Sequence, residues 1–245
     1  MTASMAEPAS PATDATPELN PALDRVGLSG EFRRKGRVHI RNALTPRSAE
    51  RLHRCLAKET KWSVTFNKGG DFLDVAYATL EERSQLALSA MRRASSEFQY
   101  VFDNHRLSRD GEPYPDPAHC LARIVEFLNS PHVLGFLRDV TGLQAIAWAD
   151  AQATLYRPGD FLTLHDDLTG GHKRLAAYVL NMTPNWRAEW GGVLQFLDES
   201  GHIDEGYVPA FNALNLFRVP MLHSVSQVAI FGGLRYSVTG WFHAR

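Results

Sequence analysis

The second half of this chain breaks into short apolar segments separated by Gly, Asn, Asp and Pro. From Ala145 onward, apolar residues recur with the period of a strand, and the breaks contain turn-forming residues. About eight such segments are enough for two facing antiparallel sheets in a jelly roll. The predicted strands are 145–156, 160–165, 175–181, 193–197, 207–208, 213–219, 223–225 and 235–242. The sequence therefore predicts a mainly β core.

The first half has helical signals instead. Between residues 45 and 142, apolar residues recur at helical spacing, as in helices that pack one face against a sheet. Predicted helix starts are Thr45-Pro46, the capping box of Thr79 and Glu82 with a helix to about Ser96, Asp116-Pro117, and Ser130-Pro131 with an end at Gly142. We expect an α+β, mainly β fold. Helical support over 45–142 should brace a double-stranded β-helix (jelly-roll) core over 145–243.

The N-terminal segment differs from both halves. Residues 1–24 contain Pro8, Pro11, Pro17 and Pro21 among Ala, Ser and Thr. Such a composition predicts a disordered tail, because it cannot bury enough apolar surface to offset the entropy of ordering. Residues 25–245 are predicted to form a single domain, since the 245-residue chain is 44% hydrophobic and can bury a substantial core.

Composition argues against several classes of protein. A formal net charge of −1 argues against direct nucleic-acid binding, although His172-Lys173-Arg174 is a local basic run. No apolar run approaches the ~20 residues of a membrane span, and the start lacks the pattern of a signal peptide. The only cysteines, Cys55 and Cys120, lie in predicted helices. We therefore expect no disulfide and, by default, a reducing, cytoplasmic location.

Three residues of the strand half have the chemistry of a metal site. His165 and Asp167 stand two apart at the end of a predicted strand, and His223 opens a later strand. Two neutral imidazoles and one carboxylate on one face of a metal leave its other positions open, as in non-haem Fe(II) oxygenases. Consecutive jelly-roll strands alternate between facing sheets, so these residues can meet at the barrel mouth. They are the candidate iron ligands, although His223 could instead be a hydrogen-bonded core histidine.

A His-x-Asp step alone is weak evidence, because it arises by chance in a chain with 10 His. A second such step is His202-Ile203-Asp204. It lies in a polar segment that contains a glycine and is predicted to form a turn. We expect this second step not to bind metal.

Four polar or aromatic residues alternate along the last predicted strand and so share one face: Arg235, Ser237, Thr239 and Trp241. Arg235 offers a fixed cation for the carboxylate of an organic co-substrate. Ser237 is a candidate for a second hydrogen bond to that carboxylate. The alternative for Arg235 is a buried ion pair with Asp or Glu.

From YRPGDFLTLHDD at 156–167 to Trp241, the chain resembles the catalytic domain of the 2-oxoglutarate, Fe(II)-dependent prolyl 4-hydroxylase family. The likeness is greatest to the branch with ribosomal and bacterial prolyl hydroxylases, over roughly 145–243. It implies Fe(II), 2-oxoglutarate and O2, with ascorbate in support, and release of succinate and CO2. In the resemblance, His165, Asp167 and His223 match the iron ligands, and Arg235 matches the residue that holds the far carboxylate of 2-oxoglutarate.

The resemblance assigns further positions and shows one departure. Tyr156 matches a tyrosine whose hydroxyl reaches the same carboxylate, although ordinary strand packing is the alternative. Thr239 and Trp241 match positions that line the co-substrate pocket. In the strand at 175–181, alternation predicts that the side chains of Ala177 and Val179 face the pocket. The oxygen-sensing members of the family have a tyrosine at the position of Val179. Tyr178 is then expected to point away from the metal.

The activity implied by the resemblance is hydroxylation of prolyl residues in a protein or peptide. One alternative keeps the chemistry and takes a free amino acid or another small molecule as substrate. Another is a metal-binding jelly roll that serves as a sensor without catalysis, and the presence of Arg235 beside all three ligands weighs against it. Arg157 and Arg174 are expected on the solvated surface, and the alternative for each is to face substrate.

Overall fold

The computed structural model describes residues 16–108, 114, 116–168 and 173–245. Its helices are α1 (Arg25–Lys35), α2 (Pro46–Lys58), α3 (Leu80–Arg93), α4 (Ala122–Leu128) and α5 (Pro131–Thr141). Its first strands are β1 (Arg37–Arg41), β2 (Ser63–Lys68), β3 (Asp71–Ala76), β4 (Tyr100–Arg106), β5 (Trp148–Ala149), β6 (Gln152–Tyr156) and β7 (Phe161–His165). The others are β8 (Arg174–Asn181), β9 (Leu194–Leu197), β10 (Ile203–Tyr207), β11 (Ala213–Arg218), β12 (His223–Val225) and β13 (Arg235–His243).

The strands form one antiparallel path in the order β1-β11-β8-β13-β6-β4-β7-β12-β9-β10. Beside this path, β2 pairs with β4 and β3, and β5 pairs with β13. The two ends of the path meet through side chains, because Arg37 of β1 forms ion pairs with Asp204 and Glu205 of β10. The result is a nearly closed jelly-roll barrel, which confirms the predicted fold class.

Two apolar clusters sit on opposite faces of the barrel wall. The larger lies outside, where side chains of α2 and α5, such as Leu56 and Phe136, pack with strand residues such as Tyr178 and Val238. The second lines the interior and includes Phe102. Helical bracing fixes one face of the sheet, so side chains on the other face are held in position around the barrel interior.

Two of the predicted N-caps form their hydrogen bonds, whereas Thr45 precedes α2 without a side-chain capping hydrogen bond. Thr79 and Glu82 form a reciprocal capping box at the start of α3, and Ser130 accepts a hydrogen bond from the backbone N–H of Val133 in α5. Gly142 ends α5 in the left-handed conformation with φ of 70°. The segment after Asp116-Pro117 is different, because α4 begins only at Ala122. None of the described helices has the length and apolar character to cross a bilayer.

Helix α1 and strand β1 lie before the predicted helical half, and strands β2 to β4 lie within it. The sequence analysis predicted none of these elements. In β4, every residue from Tyr100 to Asn104 is buried, so the strand lacks the alternation that distinguishes a half-buried strand. The β2–β3 hairpin turns at Gly69 and Gly70, both with positive φ. Helix α3 ends at Arg93, short of the predicted Ser96. Helical support over 45–142 is therefore correct only in part.

The predicted disordered tail is wrong for residues 16–24, whereas 1–15 lie outside the described residues. Leu19 forms a β-bridge with Leu44 and packs against the outer cluster. The backbone N–H of Asn20 donates to the carbonyl of Ala43 at 2.9 Å. Asp24 caps α1 by accepting from the N–H of Gly27. Two apolar side chains among the prolines, Leu19 and Leu23, are enough to dock this segment.

The expectation of unpaired cysteines is also wrong, because Cys55 of α2 and Cys120 form a disulfide. Cys120 lies in the turn before α4, outside the helix predicted for it. The two residues are 65 positions apart, and sequence alone does not bring these distant segments together. The cysteines therefore no longer support the expected reducing location, which rested on their being unpaired.

Candidate active site

His165, Asp167 and His223 meet at one edge of the barrel. His165 ends β7 and pairs in register with His223 at the start of β12, so the two imidazole centroids lie 4.1 Å apart. The carboxylate of Asp167 lies 3.4 Å from Nε2 of His165 and 3.5 Å from Nε2 of His223. One ligand atom from each residue lies within 4.8 Å of the others, close enough to share a metal ion.

Backbone hydrogen bonds orient both imidazoles. Nδ1 of His165 lies 3.0 Å from the carbonyl oxygen of Thr163, and Nδ1 of His223 lies 2.7 Å from that of Met221. Because a carbonyl only accepts, each Nδ1 carries the proton and each Nε2 keeps a lone pair toward Asp167. Burial, with His165 beside it, lowers the pKa of His223 to about 4. Neutral imidazoles with free Nε2 atoms are what a metal requires.

Asp167 occupies an unusual backbone conformation. Its φ is 63°, in the left-handed region that non-glycine residues seldom adopt outside turns and functional sites. Burial raises the pKa of its carboxyl, but the neighbouring imidazoles of His165 and His223 outweigh that effect, and the pKa is lowered. The carboxylate is therefore held in its charged form between the histidines.

The three residues line a cavity of about 460 Å³ inside the barrel. Its walls are largely apolar and aromatic, with Tyr100, Phe102, Leu194, Phe217 and Val225 among the lining residues. Cavities of this kind bury most of a small ligand and leave orientation to a few polar groups. Here those polar groups include the histidine–aspartate cluster and Arg235.

Arg235 is a buried cation without an anion. It is 2% exposed and lines the cavity, and no described carboxylate lies within ion-pair distance of it. Its guanidinium lies 4.7 Å from the ring centroid of Tyr156 and 3.4 Å from Oδ1 of Asn181, while its Nε has no hydrogen-bond partner. Burial lowers its pKa. An unpaired buried charge is costly, so this arrangement favours an anionic ligand.

The other predicted pocket residues also line the cavity. Tyr156 is 4% exposed and stacks on Phe102 with centroids 4.8 Å apart. The hydroxyls of Ser237 and Thr154 lie 2.7 Å apart. Thr239 donates to the backbone oxygen of Tyr178 at 2.8 Å, so its proton is already engaged. The alternation along β13 thus brings Ser237 and Thr239 to the same wall as Arg235.

The side chains of β8 alternate between the two faces of the sheet as predicted. Ala177 and Val179 line the cavity, whereas Tyr178 points to the outer cluster. The hydroxyl of Tyr178 donates to the backbone oxygen of Asp150 at 2.8 Å. The registers of β8 with β11 and with β13 are regular around residue 178, which explains why simple alternation gave the correct faces.

Arg174 and Arg157 are not on the solvated surface as expected. Arg174 lies 3.7 Å above the ring of Trp241, donates to the backbone oxygen of Asp167 at 3.2 Å, and lines the cavity. Arg157 donates to Asp103 at 2.6 Å. Asp103 also accepts from the buried Arg83. His172, the first residue of the basic run, lies outside the described residues.

A carboxylate that the sequence analysis did not single out holds the end of β13. Asp150 accepts a hydrogen bond from the backbone N–H of Trp241 at 2.6 Å and lies 3.0 Å from Nε2 of His243. A Cβ at Gly240 would collide with the backbone and side chain of Asp150. The neighbouring glycine could have signalled this close approach, but nothing in the sequence identifies its partner.

The second His-x-Asp step lies elsewhere. His202 is exposed between β9 and β10, and Asp204 pairs with Arg37. Neither residue belongs to the His165 cluster. Asp204 therefore has a structural role where β10 meets β1.

Comparisons with known proteins agree with this geometry. Residues 151–243 match the family model of the 2OG-Fe(II) oxygenase superfamily. The chain is 27% identical over 238 residues to prolyl 3-hydroxylase OGFOD1 of Xenopus laevis, covering 89% of this chain and 45% of that protein. It is 29% identical over 138 residues to prolyl 3,4-dihydroxylase OGFOD1 of Ostreococcus tauri, covering 51% of this chain and 26% of that protein. The chain thus spans less than half the length of these curated relatives.

Solved structures share the fold at low sequence identity. A 2OG-Fe(II) oxygenase family oxidoreductase from Burkholderia pseudomallei superposes with a TM-score of 0.64 at 15% identity, over 92% of this chain and 93% of that one. A prolyl hydroxylase from Trichoplax adhaerens, solved with a peptide fragment of hypoxia inducible factor, gives 0.59 at 13% identity, over 90% and 89%. At such identities the likeness establishes the jelly roll alone.

Residues 151–243, which include the His165 cluster and Arg235, thus resemble the 2OG-Fe(II) oxygenase superfamily. The curated relatives to which the chain is similar are named as prolyl hydroxylases. The family resemblance drawn from the sequence is thereby confirmed.

Proposed function

We propose that this protein uses Fe(II), 2-oxoglutarate and O2 to hydroxylate prolyl residues in a protein or peptide. The observation that carries the proposal is one cavity that contains both the His165–Asp167–His223 cluster and the unpaired cation of Arg235. The cluster suits a metal with open positions, and the arginine suits a carboxylate. A 2-oxo dicarboxylic acid carries groups for both.

The donor set fits Fe(II). Two imidazole nitrogens and one carboxylate oxygen are the ligands of non-haem Fe(II) oxygenases, and the backbone bonds to both Nδ1 atoms fix the free Nε2 atoms in place. When bound, Fe(II) with 2-oxoglutarate and O2 supplies the oxidising power to hydroxylate a C–H bond, with succinate and CO2 as co-products. His165, Asp167 and His223 are the proposed ligands.

The remaining residues bind and orient the co-substrate. Arg235 receives the distal carboxylate in a charge-assisted pair and thereby gains the anion that it lacks. The hydroxyls of Tyr156 and Ser237 are the proposed neutral hydrogen-bond donors to the same group. Thr239 and Trp241 form the wall beside it, and the aromatic lining excludes water from the reacting centre.

Two exposed apolar side chains favour a polypeptide as substrate. Phe72 of β3 is 69% exposed and Leu168 is 68% exposed, and both lie among the residues that line the cavity. A peptide can contact such residues while one proline enters, and this remote binding energy orients the reacting carbon. The curated relatives are named as prolyl 3-hydroxylases and a prolyl 3,4-dihydroxylase, so both carbons are candidates here.

Ascorbate is proposed to support turnover by keeping the iron reduced. Direct binding of nucleic acid and of membranes is not expected.

The deciding experiment measures succinate formation by the full chain with Fe(II), 2-oxoglutarate and ascorbate. Proline-containing peptides should stimulate succinate release and gain one oxygen on proline, located by fragmentation mass spectrometry. Asp167→Ala is the matched control and should give neither signal. Stimulation by free L-proline or another small molecule, with peptides inert, would transfer the proposal to a small-molecule substrate. Metal and 2-oxoglutarate binding without turnover on any substrate would favour a sensor.

A further inference from the structure

The Cys55–Cys120 disulfide lies apart from the residues of the candidate active site. The bond joins α2 to the turn before α4. His119 precedes Cys120, and its Nδ1 lies 3.8 Å from Sγ of Cys120. A ligand atom of His119 and both sulfur atoms lie within 4.8 Å of one another. A titratable nitrogen therefore stands beside the sulfur–sulfur bond.

The hydrogen bonds of His119 define which nitrogen carries the proton. The backbone N–H of Leu121 donates to Nδ1 at 3.2 Å, so Nδ1 is an acceptor. Nε2 lies 3.2 Å from the backbone oxygen of Glu59, which only accepts, so Nε2 carries the hydrogen. Nδ1 is therefore unprotonated, and it lies 3.8 Å from Sγ of Cys120. When Nδ1 takes the proton of a thiol at Cys120, it gives up the 3.2 Å hydrogen bond from the N–H of Leu121.

The two sulfurs differ in access. Cys55 is 1% exposed and belongs to the outer apolar cluster, whereas Cys120 is partly exposed. Exchange begins with attack on, or by, the accessible sulfur, and the buried one completes the reaction. Cys120 is therefore the entry sulfur and Cys55 the resolving sulfur.

We propose that Cys120, Cys55 and His119 form a thiol–disulfide exchange site whose oxidant is a low-molecular-weight disulfide and whose reductant is the corresponding thiol. In oxidation, Nδ1 of His119 accepts the proton of Cys120, and the thiolate attacks the oxidant to form a mixed disulfide and release one thiolate. Cys55 then loses its proton, attacks Sγ of Cys120 and releases the second thiolate. Both protons end on the released thiols, so one disulfide is consumed and two thiols are produced.

The same three side chains also have the composition of a metal site, and the neighbouring groups argue against that use. His105 stacks near His119 with centroids 5.9 Å apart and is the nearest further imidazole. Its Nδ1 lies 2.7 Å from the backbone oxygen of Lys61 and its Nε2 lies 2.7 Å from the hydroxyl of Tyr114, so both nitrogens are in shorter contacts than the 3.2 Å contacts of His119. A structural zinc site takes four ligands, and the described residues supply three.

The test traps the mixed disulfide in the full chain with oxidised glutathione as probe. In Cys55→Ser the adduct should accumulate on Cys120, whereas in Cys120→Ser the buried Cys55 should react at least about tenfold more slowly. Peptide mass spectrometry identifies the labelled residue. Equal labelling of the two sulfurs would overturn the assignment of entry and resolving sulfurs.

The role of His119 is tested in the Cys55→Ser background with His119→Asn. Asparagine can still accept from the N–H of Leu121 but cannot take a proton. Adduct formation near pH 7 should fall about tenfold, and the difference should vanish at alkaline pH, where the thiol ionises unaided. His202→Asn is the matched control on an exposed histidine and should react like its parent. If His119→Asn fails to fold by circular dichroism, His119→Gln replaces it.

Two results would overturn the proposal. One is an unchanged rate in the folded His119 variant across the pH range. The other is one equivalent of Zn2+ retained by the reduced protein and lost in Cys120→Ser, which would define a metal site instead. Both readouts are independent of succinate formation, so the proposal stands or falls separately from the hydroxylase assignment.

Discussion

The two polar regions of the cavity need ligands of opposite charge. In the His165 cluster each imidazole donates to a backbone carbonyl, which leaves both Nε2 atoms and the carboxylate of Asp167 as acceptors that face one another. Arg235 has an aromatic face and one long amide contact, and it has no anion among the described residues. One region is preorganised for a cation, whereas the other is a cation that only an anionic ligand can neutralise.

The largest expected effect comes from removing any one side chain of the His165–Asp167–His223 cluster. His165→Ala, Asp167→Ala and His223→Ala should each abolish Fe(II) binding and succinate formation, because two remaining donors cannot hold the facial geometry. Iron content after dialysis and succinate yield are the measurements. His202→Ala is the control and should leave both unchanged. Full activity in a ligand variant would show that this cluster is not the iron site.

Arg235→Ala should weaken the binding of 2-oxoglutarate and leave the binding of iron unchanged. Loss of a buried charge-assisted pair corresponds to roughly a hundredfold higher concentration for half-maximal rate, at about 1.4 kcal/mol per tenfold. Titration of 2-oxoglutarate at saturating Fe(II) measures this shift, and Arg235→Lys should lose less. An unchanged dependence on 2-oxoglutarate would mean that another cation holds the carboxylate.

Tyr156→Phe should give a smaller change in the same direction. The hydroxyl contributes one neutral hydrogen bond, worth about 1 kcal/mol, so the half-saturating concentration should rise about fivefold. The ring stays stacked on Phe102, so the melting temperature should hold. No change in the titration would assign Tyr156 to packing alone.

The smallest expected effect concerns stability without ligands. Arg235→Met replaces an unpaired buried cation with an apolar side chain of similar length, so the apo protein should become more stable by about 1 kcal/mol. Urea unfolding without metal and without 2-oxoglutarate measures the difference. Addition of 2-oxoglutarate should stabilise the parent and not the variant. A destabilised Arg235→Met would show that the contact with Tyr156 outweighs the cost of burial.

Short-range pattern predicted most of the strand half, although 145–156 is divided into β5 and β6 and β10 begins at Ile203 instead of Tyr207. Alternation placed Arg235 and Ser237 on the cavity wall and turned Tyr178 away from it, because the strands are regular there. Pattern failed where contacts between distant segments decide the outcome. The fully buried β4 carries no alternation, and the bond between Cys55 and Cys120 depends on the docking of α2 beside a distant turn.

Arg174 illustrates a similar limit within the site. It belongs to a basic run, which indicates a solvated surface, yet its guanidinium lies over the ring of Trp241 and donates to the backbone oxygen of Asp167. Stacking between residues of two different strands has no signature in a single sequence. The same holds for Asp150, whose hydrogen bond to the N–H of Trp241 crosses from one strand end to another.

The seam of the barrel, where Arg37 of β1 forms ion pairs with Asp204 and Glu205 of β10, bears on association between molecules. Among the described strands, β1 pairs only with β11 and β10 only with β9, so both would present an open backbone edge to a strand of another chain. The ion pairs place charge along those edges, and Lys35 adds a 2.7 Å contact to Glu205. An incoming strand would have to break these pairs and bury their charges. The seam that completes the barrel thus also protects these two edges against pairing with another chain.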